Sequence, residues 1–258
     1  MKPAVRRPAT LLATAAVVGV VLVVTVVATR SPERKATCRS ALIPAYLPPH
    51  AIVELVRGPS RPRLLVINPA SGPGSEASGS HRDAVRIARS SGAHVFGYVP
   101  TTYARRPAAD VEADIDRYVK WYGVDGIFLD ETSHDAAHLP YYAGLSRHIR
   151  GTGRRIVMNP GVPPAHGYFD LADVIVTFEG TYRDYAAAIE RMPDWIRQQP
   201  PGRIAHLVYG ATREQALDVV QHPGEAGYVY ATSGTMPDPW RELPDYLGEE
   251  EEALQECS

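Results

Sequence analysis

The sequence predicts an α/β fold: a closed (β/α)8 TIM-type barrel, one domain over residues 38–258, preceded by an N-terminal membrane-anchor or signal helix. Three observations predict it. Eight short apolar runs follow one another from Ala41 onward. The runs are mostly continuous in β-branched and aromatic residues rather than alternating, as strands buried on both faces of a parallel sheet are. Amphipathic segments of helical period lie between them. An open doubly wound sheet is the alternative that the same alternation allows.

The elements follow in order. "ALIPAYL" from Ala41 and "RLLVINP" from Arg63 are the first two strands, and "SHRDAVRIARSSG" is a helix opening on Ser and stopping at Gly. "HVFGYVPT" from His94 is the third strand. After it, "DVEADIDRYVKWYG" offers Asp110 as an N-cap, a stripe of Val111, Ile115, Tyr118, Val119 and Tyr122, and Gly123 as the stop. "DGIFLDE" from Asp125 and "RIVMNPG" from Arg155 are strands four and five. "VPPAHGYFDLA" is poor helix, so the crossover after strand five is expected to be short or irregular. "DVIVTFE" from Asp173, "RIAHLVY" from Arg203 and "GYVYATS" from Gly227 complete the eight, with the helix "TREQALDVVQHPG" before the last. The acidic tail "GEEEEALQE" reads as a solvated helix end.

Residues 1–37 have a different composition. Lys2, Arg6 and Arg7 precede an uncharged run from Ala9 to Thr29 that ends at Arg30. Such a run can span a bilayer with its start in the cytoplasm and the barrel outside, in single-pass form at the cell membrane. If Val26-Val27-Ala28 is cut instead, the barrel is secreted. The two cysteines, Cys38 and Cys257, bracket the domain, and in an oxidising compartment one disulfide is the simplest expectation. The near balance of 27 Lys+Arg against 29 Asp+Glu leaves no basic stretch for nucleic acid.

In a barrel of this kind working residues gather at the C-terminal ends of the strands. Those ends supply Tyr46, Asn68, Tyr98, Asp130, Glu131, Asn159, Glu179 and Tyr230. Glycoside hydrolysis needs two carboxyl groups flanking the scissile bond. Asp130 and Glu179 are the expected pair, in unassigned order, with Glu131 tuning one of them or replacing it. Neighbouring strand residues point to opposite sides, so one of Asp130 and Glu131 is expected at the mouth and the other against a flanking loop. A metal site from the three is disfavoured, because the other strand ends offer amides and phenols, and no cofactor is expected. Asn68 and Asn159, each in an Asn-Pro turn, are expected to meet sugar hydroxyls, or else to cap their own turns. The 14 Tyr against 4 Phe add weight, since a phenol offers an apolar face and a polar tip. Tyr46, Tyr98, Tyr103, Tyr209 and Tyr230 fall in strand-end loops. His206, inside strand seven, is a further binding candidate whose alternative is a satisfied core histidine.

"VINPASGPG", "FGYVPTTYARR", "VDGIFLDE", "VMNPG", "VIVTFEG" and "YVYATSG…LPDYL" run in this order along Ala41 to Leu247. In these motifs the chain resembles the spherulation-specific family 4 (spherulin 4-like) proteins. The resemblance implies a (β/α)8 glycoside hydrolase acting on a polysaccharide, and a monomer is the separate expectation. Some members are endo-acting hydrolases of α-1,4-linked galactosamine-containing polymer, the galactosaminogalactan of fungal biofilms. The family's acidic cluster falls on Asp130 and Glu131 of "LDE" and on Glu179 of "TFEG". The apolar N-terminal run and the terminal cysteines are not part of the family motif. The rival expectation is a non-catalytic carbohydrate-binding barrel, which needs the aromatics and amides but not the carboxylates.

Overall fold

A computed structural model describes residues 39–58 and 64–255. The apolar run 9–29, Cys38 and Cys257 lie outside the described residues, and with them the expectations of an anchor and a disulfide. Among the described residues no helix is long and apolar enough to cross a membrane.

Eight parallel strands close in sequence order: β1 (Ser40–Ala45), β2 (Leu64–Ile67), β3 (His94–Pro100), β4 (Gly126–Asp130), β5 (Arg155–Met158), β6 (Val174–Thr181), β7 (Ile204–Tyr209) and β8 (Tyr228–Ala231), with β8 pairing back to β1. The expected barrel is therefore the observed one, and each apolar run became a strand because both of its faces are covered. The helices are α1 (Pro49–Arg57), α2 (Gly79–Ser90), α3 (Ala108–Tyr122), α4 (Leu139–Gly151), α5 (Tyr182–Glu190), α6 (Asp194–Arg197), α7 (Arg213–Gln221) and α8 (Leu247–Gln255). Between β5 and β6 the chain makes only a 3-10 turn, His166–Asp170, as the Pro- and Gly-broken sequence there requires.

Helix ends depart from expectation in instructive ways. Asp110 is not the cap of α3: Pro107 stands there, and Asp110 sits in the first turn, where its charge meets the positive end of the helix. Gly123 does stop α3, in the left-handed conformation. The α2 cap is Ser78, whose side chain accepts from the His81 amide, two residues before the segment read as helical. Thr212 and Gln215 form a full capping box on α7.

The acidic tail is not simply solvated. Leu247 and Leu254 turn α8 inward, which buries Glu250 and Glu251 with them. The Ala231 amide donates to Glu250 Oε2 at 3.5 Å, and burial pushes the Glu250 carboxyl well above its ordinary range.

Register sets the working end. β3 pairs with β4 so that Pro100 faces Asp130, which places Asp130 on the rim. β6 carries a bulge against β7, where Val176 pairs with Ala205 and Phe178 with His206, leaving Thr177 as the extra residue. One extra residue resets the alternation of faces downstream, and thereby decides where Glu179 points.

Candidate active site

The mouth of the barrel is a cavity of about 510 Å3, and its walls include Tyr46, Asn68, Tyr98, Tyr103, Asp130, Glu131, Asn159 and Glu179. These eight residues, drawn from β1 to β6 and the loops after them, are thus brought together.

Asn159 organises the centre. Its side-chain nitrogen donates to Asp130 Oδ1 at 2.7 Å and also to Glu179 Oε2. Both amide hydrogens are used, while Asn159 Oδ1 is buried without a hydrogen-bond partner. Two carboxyl groups that share one nitrogen have their nearest oxygens within two hydrogen-bond lengths, about 6 Å at most. The backbone fixes this arrangement: the Asn159 amide donates to Leu129 O at 2.9 Å, Thr132 N donates to Asn159 O at 3.0 Å, and Glu179 N donates to Gly161 O at 2.9 Å.

The pair is electrostatically unequal. Burial, and then the Asp130 charge, push the Glu179 carboxyl up to about 7, against hydrogen bonds from Asn159 and Trp240. Burial raises Asp130 too, but three donors oppose it: the Glu131 backbone, the Tyr98 hydroxyl and Asn159. Asp130 is thus the better hydrogen-bonded anion and Glu179 the better proton holder. Because the groups are coupled, the two titration steps belong to the pair.

Glu131 does not behave as strand alternation predicts. β4 ends at Asp130, and Glu131 takes φ 48°, a left-handed backbone that returns its side chain to the same cavity. The Glu131 carbonyl accepts from Tyr103 N at 2.7 Å and Thr101 Oγ1 at 2.8 Å. Opposite it, Thr102, Tyr103 and Ala104 are all left-handed as well, with φ 51°, 54° and 65°. Each such residue costs roughly 1–2 kcal/mol. Glu131→Gly is expected to relieve about 1 kcal/mol of this, raising the thermal midpoint, whereas Glu131→Ala leaves it unchanged. Both are expected to lower turnover alike. A stabilising Ala variant would show that the strain lies elsewhere.

The other expected residues divide. The Tyr46 and Tyr98 rings meet edge to face at 5.3 Å, and burial raises both phenols. Asn68 lines the cavity while its Oδ1 accepts from the Gly72 amide at 2.8 Å, so it also caps its own turn. His206 does not reach the mouth. It is buried between β7 and α5, held by the Tyr185 hydroxyl at Nδ1 (3.0 Å) and Thr177 Oγ1 at Nε2 (3.1 Å), and burial lowers it to about 3. It is a satisfied neutral core histidine. Tyr230 is buried beneath Trp240 and does not line the cavity.

Residues missed in the sequence come mostly from the segment after β8. Met236, Pro237, Asp238, Pro239 and Trp240 complete the wall, together with Val162; Tyr209, one of the strand-end tyrosines read from the sequence, lines it too. Trp240 packs on Tyr209 with ring centres 6.1 Å apart and bonds Glu179. The available signal was a lone Trp in the proline-rich "MPDPW" directly beyond a strand end. Among the described residues no Lys, Arg or His lines this cavity, and no cluster of His, Cys, Asp and Glu is arranged to hold a metal.

The pattern of spherulation-specific family 4 matches residues 41–254. Spherulin-4 of Physarum polycephalum is 30% identical over 231 residues, 83% of this chain and 69% of its own length. Among solved structures, Aspergillus clavatus Sph3 in complex with GalNAc superposes with a TM-score of 0.69 at 24% identity, over 85% of this chain and 99% of that one. A GH18 chitinase from Pseudoalteromonas aurantia gives 0.51 at 11% identity, over 85% and 98%. At these identities the two solved structures speak to the fold.

Proposed function

This chain belongs to spherulation-specific family 4, and on that premise we propose that it is an exported, membrane-anchored or secreted endo-glycosidase. Its proposed substrate is an amino-sugar-containing polysaccharide of the α-1,4-galactosaminidic kind. The observation that carries the reading is the single Asn159 nitrogen bonded to both Asp130 and Glu179, beside a Glu179 carboxyl raised to about 7. A binding module gains nothing from a carboxyl held near half-protonation at neutral pH. An acid catalyst requires it.

The separation, about 6 Å or less between nearest oxygens, favours the retaining arrangement of roughly 5–5.5 Å over the inverting one of roughly 6.5–9.5 Å. Glu179 gives its proton to the glycosidic oxygen as that bond breaks, and Asp130 forms an ester with the anomeric carbon. The Glu179 carboxylate then takes a proton from water, whose oxygen displaces Asp130. Where the bound sugar is N-acetylated, its own carbonyl can replace Asp130 as nucleophile, with Asp130 orienting it. Asn159 Oδ1 is free to accept from a sugar N–H or O–H at this centre. The similarity to Sph3, described in complex with GalNAc, supports an N-acetylhexosamine in the site.

Reducing-end release on a panel including acetylated and deacetylated galactosaminogalactan tests the reading. The wild type is expected to release ends and Asp130→Asn is not. Binding with no release from any polymer would move the assignment to a carbohydrate-binding barrel. The pH profile is a second test. Turnover should fall as pH rises through about 7, when Glu179 loses its proton, and fall again in acid as Asp130 is protonated. An alkaline limb well above that range would remove Glu179 as the acid.

A further inference from the structure

A second cavity of about 590 Å3 adjoins the mouth. It is walled by Thr181, Tyr182, Arg183, Tyr209, Gly210, Gln215, Thr235 and Met236, and it shares Tyr209 and Met236 with the central cavity. From this continuity we propose that it is a further sugar-binding subsite, taking a neighbouring unit of the same polysaccharide chain with an uncharged nitrogen or none. The proposal rests on the glycosidase reading of the mouth.

Three independent features point to it. Among the described residues, the large apolar side chains that stand exposed are Tyr103 at 50%, Val162 at 45% and Met236 at 63%, and all three rim the central cavity. Apolar surface gathered on one rim marks a place where something docks. Met236 stands where the two cavities join. Second, the wall chemistry suits a sugar: Tyr182 and Tyr209 offer ring faces, and Arg183 and Gln215 offer donors. The Tyr182 hydroxyl donates to Asp218 at 3.2 Å, which anchors that ring. Gln215 uses its Oε1 on the Thr212 amide, leaving its NH2 group for a ligand.

Third, the charges differ. The central cavity holds Asp130, Glu131, Glu179 and Asp238 with no cation, whereas the second cavity holds Arg183 and no carboxylate. Arg183 is exposed and makes no ion pair among the described residues, so no carboxylate partner offsets its guanidinium beside the cavity. A free amine sugar there would face a like charge, which costs a few-fold in affinity. An N-acetylated or neutral hexose would instead accept from the guanidinium and from Gln215. The second cavity thus disfavours a charged amine, a constraint that the acidic central cavity does not impose.

Calorimetry on the full chain carrying Glu179→Gln tests this, with α-1,4-linked N-acetylgalactosamine from the monosaccharide to the octasaccharide and the matching deacetylated series. Affinity is expected to grow with length until both cavities are filled. Added Tyr182→Ala or Arg183→Glu should remove about fivefold to tenfold of that gain while leaving the monosaccharide unaffected. Arg183→Glu should also turn the preference of the longer chains toward the deacetylated series. Length-dependent binding that neither substitution alters would overturn the subsite and leave the central site standing. Binding to no member of either series would overturn both.

Discussion

Glu179→Gln is expected to lower turnover on polysaccharide by about a thousandfold or more while leaving the fold intact, because a neutral amide cannot deliver the proton that the leaving oxygen needs. Gln keeps an oxygen to accept from Asn159, so the cross-bridge at the centre survives. On an aryl glycoside, whose leaving group departs without protonation, much of the loss should disappear. Asp130→Asn should lose activity on both substrates, since attack on the anomeric carbon is needed whatever leaves. A variant pair with the reverse pattern would exchange the two roles.

The same substitution carries a stability prediction of definite sign. The Glu179 carboxyl is held at about 7 in the folded chain, above its ordinary 4.5. The folded state therefore binds this proton more tightly than the unfolded state. The resulting stabilisation is complete below about 4.5 and is lost as pH rises through about 7. Gln bears no charge at any pH. Glu179→Gln should thus match the wild type in acid and exceed it above neutrality by about 2 kcal/mol, allowing for water in the open mouth. For a domain of this size that is ~4–8 °C. Equal midpoints at pH 5 and pH 8 would mean that the site does not strain this carboxyl.

The architecture was legible because its signal is local and redundant. Short continuous runs such as "LLVI" and "VIVTF" suit strands covered on both faces, and runs of this kind recur at the spacing a crossover needs. Asp130, Asn159 and Glu179 were legible because strand ends converge in a barrel whatever the loops do. The failures have other causes. Glu131 points into the mouth through a left-handed φ that no rule assigns to Glu. His206 and Tyr230 were misplaced because each stands inside its strand and short of the end that reaches the mouth, His206 on the face toward α5 and Tyr230 beneath Trp240. Trp240, Asp238 and Met236 lie in a segment without periodicity, so beyond the Trp of "MPDPW" no pattern announced that it folds back over the centre. The second cavity was invisible for the same reason: it exists only where this segment meets the start of α5.

The site depends as much on what stands behind it, and Gly126→Ala is expected to show this by destabilising the barrel by about 3 kcal/mol. Gly126 opens β4, pairing with Phe96 on one side and Arg155 on the other. A Cβ at this position would overlap the buried Phe96 ring and stand 2.8 Å from the Arg155 carbonyl oxygen. That oxygen belongs to the backbone of β5, so relief requires the strands to part rather than a side chain to turn. Gly151→Ala, at the end of α4 with nothing within 4 Å of its Cβ, is the control and should be neutral or slightly stabilising. Thermal midpoints that fall equally in the two variants would refute the packing argument. Asp130 closes the same short strand, four residues on, and its bond to Asn159 depends on the β4–β5 register. Turnover per folded molecule should therefore fall in Gly126→Ala even where the protein remains folded. Unchanged turnover would mean that the carboxylate pair is held by its loops and not by the strands that deliver it.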